Sequence, residues 1–200
     1  MKKIQNDKSF FAYLNRMKYI NRWGLMRNTA TENILEHSGQ TAMLAHMLAV
    51  IGNKYFGKEY DSDRVCLYAL YHDANETITG DLPTPVKYFN QQINESYREI
   101  ETLSKNKLLD MLPEDFREEY EDILFFDEND DDYKRLVKAA DKISAHIKCI
   151  EEVKSGNSEF SAAKKATVES IKAMCMPEAD YFIEHFIPSF ECSLDELGGL

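Results

Sequence analysis

Two histidines and three carboxylates in this chain recur where side chains able to grip a cation would stand. His72 and Asp73 are adjacent in "YHDANETITGDLPTPVKYF", residues 71 to 89, where the apolar run "VCLYALY" gives way to polar groups. Glu76 lies four residues after His72 and three after Asp73, so a continuing helical turn puts it on the same side. His37 sits in "LEHSGQ", and Asp141 in "LVKAADKISAHI", where Leu136, Val137, Ala140 and Ile143 mark a largely buried helix. A carboxylate on an apolar face is costly unless it is paired or coordinates a metal. His37, His72, Asp73 and Asp141 together offer mixed nitrogen and oxygen ligands suited to a first-row divalent cation: Mn, Co, Fe, Ni or Zn. Four protein ligands leave room for water or substrate. Taken singly, each residue fits a capping or surface position equally well.

The elements that would have to bring these groups together read as helices. "SFFAYLNRMKYI" (9–20) spaces Phe10, Tyr13, Leu14 and Met17 as an amphipathic first helix. "NRWGLMRNTATENILEH" (21–37) reads as a long loop, and a strong helix follows over 38–56 with Thr41, Leu44, Ala45, Leu48 and Ile51 on one side. Asp61 or Ser62 caps a third helix that runs to Asp73. Gly80, Pro83 and Pro85 make the next stretch a loop, with a short turn after Pro85. Residues 91–112 are helical, and Pro113 opens a short helix to Leu124. The acidic run "FDENDDD" (126–132) reads as a solvated loop, and 133–156 forms the helix of Asp141, stopped by Gly156. Helices over 159–174 and 178–187 complete the chain. No segment alternates with a period of two and no repeat divides the sequence. The expectation is an all-α, single-domain protein over 1–200, its core spanning about 9–190.

The 200 residues suffice for a continuous core without disulfides. A net charge of -11 with no basic block argues against a polynucleotide partner. A small phosphorylated substrate stays open, since one metal and one or two local cations overcome a diffuse negative field. Cys66, Cys149, Cys175 and Cys192 are scattered without a CxxC pair, as free thiols in a reduced cytoplasmic protein would be. "MKKIQNDKSFFAYL" has a charged start but no apolar run of the kind a signal peptide needs, and no stretch approaches the length of a membrane span, so a cytoplasmic protein is expected.

The order His, His-Asp, Asp in "EHS", "YHDANE" and "KAAD" resembles the HD-domain phosphohydrolase superfamily, whose helical bundles hold a divalent metal with such a set. "INRWGLMRN", "TEN", "YHDANETITGDLPTPVKYFN", "KCIEE" and "FIPSFECSLDEL" narrow the likeness to bacterial HD-domain 5'-deoxynucleotidases, over about 9 to 197. The resemblance implies a homodimeric, metal-dependent phosphomonoesterase that releases phosphate from 2'-deoxyribonucleoside 5'-monophosphates. It implies metal binding by His37, His72, Asp73 and Asp141, of which His37, Asp73 and Asp141 also face substrate. Cobalt and manganese are the ions expected first. Residues 74 to 140 hold no histidine, whereas HD enzymes with two metals draw further histidines from that interval, so one metal is expected.

Glu76 is the expected general acid or base, against a plain helix-end carboxylate. The resemblance carries phosphate orientation onto Arg22, whose planar fork suits phosphate better than lysine, and nucleotide contact onto Trp23. "DLPT", Asp81, Leu82, Pro83 and Thr84, is the expected substrate loop, its prolines stiffening a wall that excludes a 2'-hydroxyl. Asp81 either holds the 3'-hydroxyl or serves the turn after Gly80. Lys87 is an extra phosphate cation or, more simply, a solvated charge, and Asn33 and Glu36 are candidates to orient the ligands. His46, His146 and His185 are assigned no ligand role. Two rivals stay open: an HD phosphohydrolase of cyclic nucleotides, triphosphates or guanosine polyphosphates, and a non-catalytic nucleotide-sensing module.

Overall fold

A computed structural model describes residues 8–126 and 131–198. Its helices are α1 (Phe10–Leu14), α2 (Ile34–Tyr55), α3 (Ser62–Tyr71), α4 (Glu76–Thr79), α5 (Thr84–Lys87), α6 (Gln91–Leu109), α7 (Arg117–Leu124), α8 (Asp131–Lys154), α9 (Ser161–Lys172) and α10 (Pro177–His185). Short 3-10 turns at Asn15–Tyr19, Glu114–Phe116, Ser158–Phe160 and Ile187–Glu191 link several of them. Among the described residues there is no strand beyond one isolated bridge, Asn21 to Asn33. The all-α expectation holds.

Helix α2 is the central element, packed between α3 and α8 with α10 across its far end. Leu48, Ala45, Ile51, Val65, Ala69, Leu136, Ile143 and Ile147 bury completely or nearly so in the main core. A second, smaller core gathers Phe10, Ala74, Leu108, Leu109, Met111, Leu112 and Leu124 from α1, the segment after α3, α6 and α7. Tyr68 and Ala69 belong to the first core, Ala74 to the second, and the His72–Asp73 pair lies on the four residues between them.

Several helix ends differ from the sequence reading by a few residues, and three of the differences have a local cause. Helix α2 begins at Ile34, so His37 lies inside the helix rather than in the preceding loop. Asn33 and Glu36 explain the shift: Asn33 accepts from the Glu36 N–H and the Glu36 side chain accepts from the Asn33 N–H, a reciprocal cap. Their side chains are therefore occupied in starting the helix, and the Asn33 carbonyl accepts the His37 backbone N–H at 3.1 Å. The first segment is α-helical only to Leu14 and tightens into a 3-10 turn from Asn15; asparagine competes with its own helical backbone. Asp131 and Asp132 belong to the first turn of α8, where carboxylates favour the positive end of the helix dipole; the rest of the expected acidic loop, 127–130, lies outside the described residues. No helix among the described residues is long and apolar enough to cross a membrane.

Candidate active site

Three helices deliver the cluster. His37, wholly buried, projects from the second turn of α2. His72 and Asp73 follow α3, and Asp141 faces them from α8. His37 Nε2 is 3.2 Å from Asp141 Oδ1 and 3.6 Å from Asp73 Oδ2, while His72 Nε2 is 3.1 Å from the same Asp73 oxygen. One ligand atom each from His37, His72 and Asp141 lie within 4.8 Å of one another. Ligands held about 2.1 Å from a first-row cation stand roughly 3 to 4.2 Å apart, so His37, His72 and Asp141 come near the spacing one ion needs, and Asp73 stands beside both imidazoles.

The tautomers suit that role. His72 Nδ1 lies 2.7 Å from the Ala69 carbonyl, which only accepts, so Nδ1 carries the proton and Nε2 presents its lone pair. Ser144 Oγ donates to Gln40 Oε1 at 2.6 Å, which spends its only proton. Ser144 must then accept, at 3.0 Å, from His37 Nδ1–H. His37 Nε2 is thereby left bare toward the carboxylates. Among the described residues, buried side-chain atoms without a hydrogen-bond partner include His72 Nε2, Arg22 Nε and Glu76 Oε2. His72 Nε2 lies 3.1 Å from Asp73 at the ligand cluster, as expected of a site built for a ligand outside the chain, whereas Arg22 Nε stands 3.3 Å from Glu32.

The electrostatics agree. Burial alone would push the Asp73 carboxyl up, but His72, His37 and Arg22 hold it well below the usual carboxylate range. Asp141, likewise opposed by burial, is brought down to about 2 by His37 and Arg22. His72 resists burial and is raised by Asp73 and Asp141, so a cation entering the cluster would displace a proton from it. Glu76 goes the other way: burial first, then Asp73 and Asp81, push it up to about 10. Carboxylates whose surroundings drive their affinities for protons apart are what acid-base chemistry requires.

Arg22 spans the cluster. Its Nη1 is 3.4 Å from Asp73 Oδ2, its Nη2 3.7 Å from Asp141 Oδ1, and its Nε 3.3 Å from Glu32 Oε2. Despite burial, Asp141, Asp73 and Glu32 raise its proton affinity further, so it is a permanent cation. Trp23 takes a left-handed backbone (φ 60°), donates Nε1–H to Glu32 Oε2 at 3.0 Å, and packs its ring 5.2 Å from Phe160. Arg22 and Trp23 open onto a cavity of about 450 Å³ also lined by Asp81, Pro83, Thr84, Asp141 and Lys142, with the small side chains of Ala145, Ala163 and Ala166 on α8 and α9. That volume lies within the range of small-ligand pockets.

The structure therefore brings together His37, His72, Asp73, Asp141, Arg22, Trp23, Asp81, Pro83 and Thr84, with Glu76 at the edge of the same charge cluster. Leu82 is half-buried and does not line the cavity. Lys87 is neither a phosphate cation nor a solvated charge: its Nζ pairs with Glu101 at 2.7 Å and lies over the Tyr97 ring. His146 donates to or accepts from Thr167, His46 stands at the surface near Asp63, and His185 rests on Tyr181, all away from the cluster. Sequence reasoning missed Glu32, Gln40 and Ser144. Glu32 stands in the quoted "TEN", and Ser144 one turn beyond Asp141, so spacing held a signal for both; Gln40, three residues after His37, becomes meaningful only through Ser144.

The family described as 5'-deoxynucleotidase YfbR-like matches residues 9–190. The chain is 50% identical over 188 residues, 94% of each protein, to the 5'-deoxynucleotidase YfbR of Escherichia coli (strain K12 / DH10B), and equally to that of Shigella boydii serotype 18. Among solved structures, an HD-domain phosphohydrolase of Listeria innocua superposes with a TM-score of 0.78 at 22% identity, covering 94% of this chain and 89% of that one. The cyanophage S-2L HD phosphohydrolase, bound to dA and one catalytic Zn2+ ion, superposes with a TM-score of 0.62 at 20% identity, over 90% and 95% of the two chains. At those identities the two superpositions speak for the helical architecture.

Proposed function

The chain belongs to the YfbR-like 5'-deoxynucleotidase family, and from that premise we propose that it hydrolyses 2'-deoxyribonucleoside 5'-monophosphates to deoxynucleosides and phosphate with one divalent metal. The observation that carries this reading is the sharing of carboxylates: the guanidinium of Arg22 meets the same Asp73 and Asp141 oxygens that face His37. A phosphate drawn to Arg22 is thereby drawn to the metal ligands.

His37, His72, Asp73 and Asp141 hold the ion, with cobalt and manganese the first candidates and the choice left to supply because the donor set accepts several. When bound, a divalent cation there supplies Lewis-acid charge and lowers the pKa of water. Arg22 turns its fork from the carboxylates to the phosphoryl oxygens and orients them in line, since positioning and electrostatics dominate phosphoryl transfer. Glu76, its affinity for protons raised, holds a proton that it delivers to the departing 5'-oxygen, and it regains one from water as the cycle closes. Trp23 offers its ring to the nucleobase and Asp81 its carboxylate to the 3'-hydroxyl. The Pro83–Pro85 wall, stiff and close, crowds a 2'-hydroxyl. The protein works as a homodimer in the cytoplasm, a reading supported by family membership and by four free cysteines.

A phosphate-release matrix on purified, chelator-stripped protein tests this, with Mn2+, Co2+ and Zn2+ against dAMP, AMP and dATP. Turnover of dAMP alone, restored by metal, is the expected result. Equal turnover of AMP removes the deoxy preference, preferred cleavage of dATP replaces the substrate class, and binding of dAMP without phosphate release makes the protein a sensor.

A further inference from the structure

The "KCIEE" segment of α8 contributes nothing to the cluster, yet its last residue is a buried carboxylate with donors on every side among the described residues. Glu152 is 1% exposed and Lys148, one turn before it, 5%. A buried carboxylate must be matched by donors, and here most of them come from one loop. Thr29 donates its N–H to Glu152 Oε2 at 2.9 Å and its hydroxyl to the same oxygen at 2.7 Å; the Ala30 N–H reaches Oε1 at 3.2 Å. Asn157, just past the Gly156 turn, donates to Glu152 Oε2 at 2.9 Å and to the Arg27 carbonyl at 2.7 Å. Lys148 Nζ closes the arrangement, donating to Glu152 Oε1 and to the Ala30 carbonyl.

The bonds that reach the loop all fall on residues 27–30, the downstream half of the segment that opens with Arg22 and Trp23. The two halves are anchored differently. Arg22 is fixed from below: its N–H donates to the Glu32 carbonyl at 2.9 Å, and its side chain meets Glu32, Asp73 and Asp141. Trp23 holds a left-handed backbone, an arrangement that persists only when its surroundings impose it. Asn28 Nδ2 donates to the Met26 carbonyl at 2.9 Å and reaches the Trp23 carbonyl at 3.4 Å, and Phe160, three residues after Asn157, backs the indole ring. The path from Glu152 to Trp23 is continuous through Thr29, Asn28 and Asn157.

We propose that Glu152, with Lys148, is a positioning residue that holds the Trp23–Met26 wall against the cavity, so that nucleoside recognition depends on a buried ion pair outside the site. This rests on the nucleotidase reading for its kinetic consequence, but not for its spectroscopic one. Trp23 is the sole tryptophan, so intrinsic fluorescence reports this wall alone.

The test compares wild type with Glu152→Gln, Thr29→Val and Thr29→Ser, each loaded with Mn2+. In Glu152→Gln, acrylamide quenching of Trp23 rises, and KM for dAMP climbs about tenfold or more, the factor set by loss of one charge-assisted hydrogen bond. Its kcat and its KM for 2-deoxyribose 5-phosphate, which has no base to meet Trp23, change by less than about threefold, because Arg22 keeps its own anchors. Thr29→Val, which removes one donor from an exposed position, shifts quenching and KM in the same direction by less, and Thr29→Ser restores both; this pair decides the matter if Glu152→Gln does not fold. Unchanged quenching with unchanged KM, or an equal loss on dAMP and on the baseless ester, overturns the proposal. If wild type fails to hydrolyse dAMP, the nucleotidase reading falls, while the quenching comparison still judges the clamp.

Discussion

Replacing Ser144 by alanine removes the hydroxyl between Gln40 and His37 without touching any candidate ligand. Ser144 is fully buried and its two contacts, at 2.6 and 3.0 Å, assign the His37 tautomer. After the change the His37 Nδ1–H loses its acceptor, and the carboxylate of Glu32 stands 4.0 Å away, too far to replace it. A buried donor left unpaired costs about 1–3 kcal/mol of stability. The imidazole is also free to move its proton to Nε2, which would point a hydrogen at the cation. Losing such an orienting partner weakens metal affinity about 10- to 100-fold, or about 1.4–2.7 kcal/mol. Isothermal titration of chelator-stripped protein with Mn2+ or Co2+ reads the affinity, and thermal melting in chelator reads the stability term separately. Gln40→Ala sharpens the test, since Gln40 touches no ligand. Its removal lets the Ser144 hydroxyl turn and donate toward Nδ1, which reverses the tautomer and again lowers affinity. Unaltered metal affinity in both variants would refute the relay, whatever happened to the melting temperature.

Glu76→Gln keeps its metal content and loses turnover by about 10²- to 10⁴-fold, the usual weight of a positioned acid or base; metal analysis beside phosphate release checks it, and full activity removes the proton-transfer role. The same variant carries a pH prediction for the metal-free protein. Because Glu76 is raised from 4.5 to about 10 in the fold, the stability it contributes is full below 4.5 and is lost as pH rises toward 10. Melting temperature should therefore fall between pH 5 and 9 in wild type and fall less in Glu76→Gln. His72, also raised, adds to the slope in both proteins, whereas Asp73 and Asp141, both lowered, act only on the acid side. Arg22→Lys keeps the charge but not the planar fork; phosphate-release kinetics should show a loss in kcat/KM with metal affinity retained, and unaltered kinetics would dismiss the fork. Saturating metal at about 100 times Kd should stabilise the protein by about 2.7 kcal/mol, read in chemical denaturation with and without chelator.

The helices of the bundle were legible because their apolar periodicity is long: α2, α6 and α8 each run 19 residues or more. Their starts were less so. Gly24, Asn28 and the Thr/Asn cluster extend the expected loop as far as His37, at the helix start, whereas the Asn33–Glu36 cap begins the helix at Ile34. The four candidate ligands are readable as residue types, and their meeting is a matter of tertiary packing. Glu32 is signalled only by its place in the "TEN" stretch, and Gln40 carries no chemistry that spacing alone reveals. Each gains its role from one contact far away in sequence or from a short loop, as when Ser144 reaches Gln40 across 104 positions. Lys87 shows the opposite error: a cation near an anion site is absorbed by Glu101, fourteen residues on.

The placement of His72 and Asp73 between two separate apolar clusters has a mechanical corollary. Tyr68 and Ala69 move with one body and Ala74 with the other, so the pair acts as a rivet through a seam. A partial opening that detaches the minor cluster, of the kind amide exchange detects, would dismantle catalysis while most of the helical bundle stayed intact. A bound ion, gripping α2 and α8 on one side and the rivet on the other, should in turn suppress that opening.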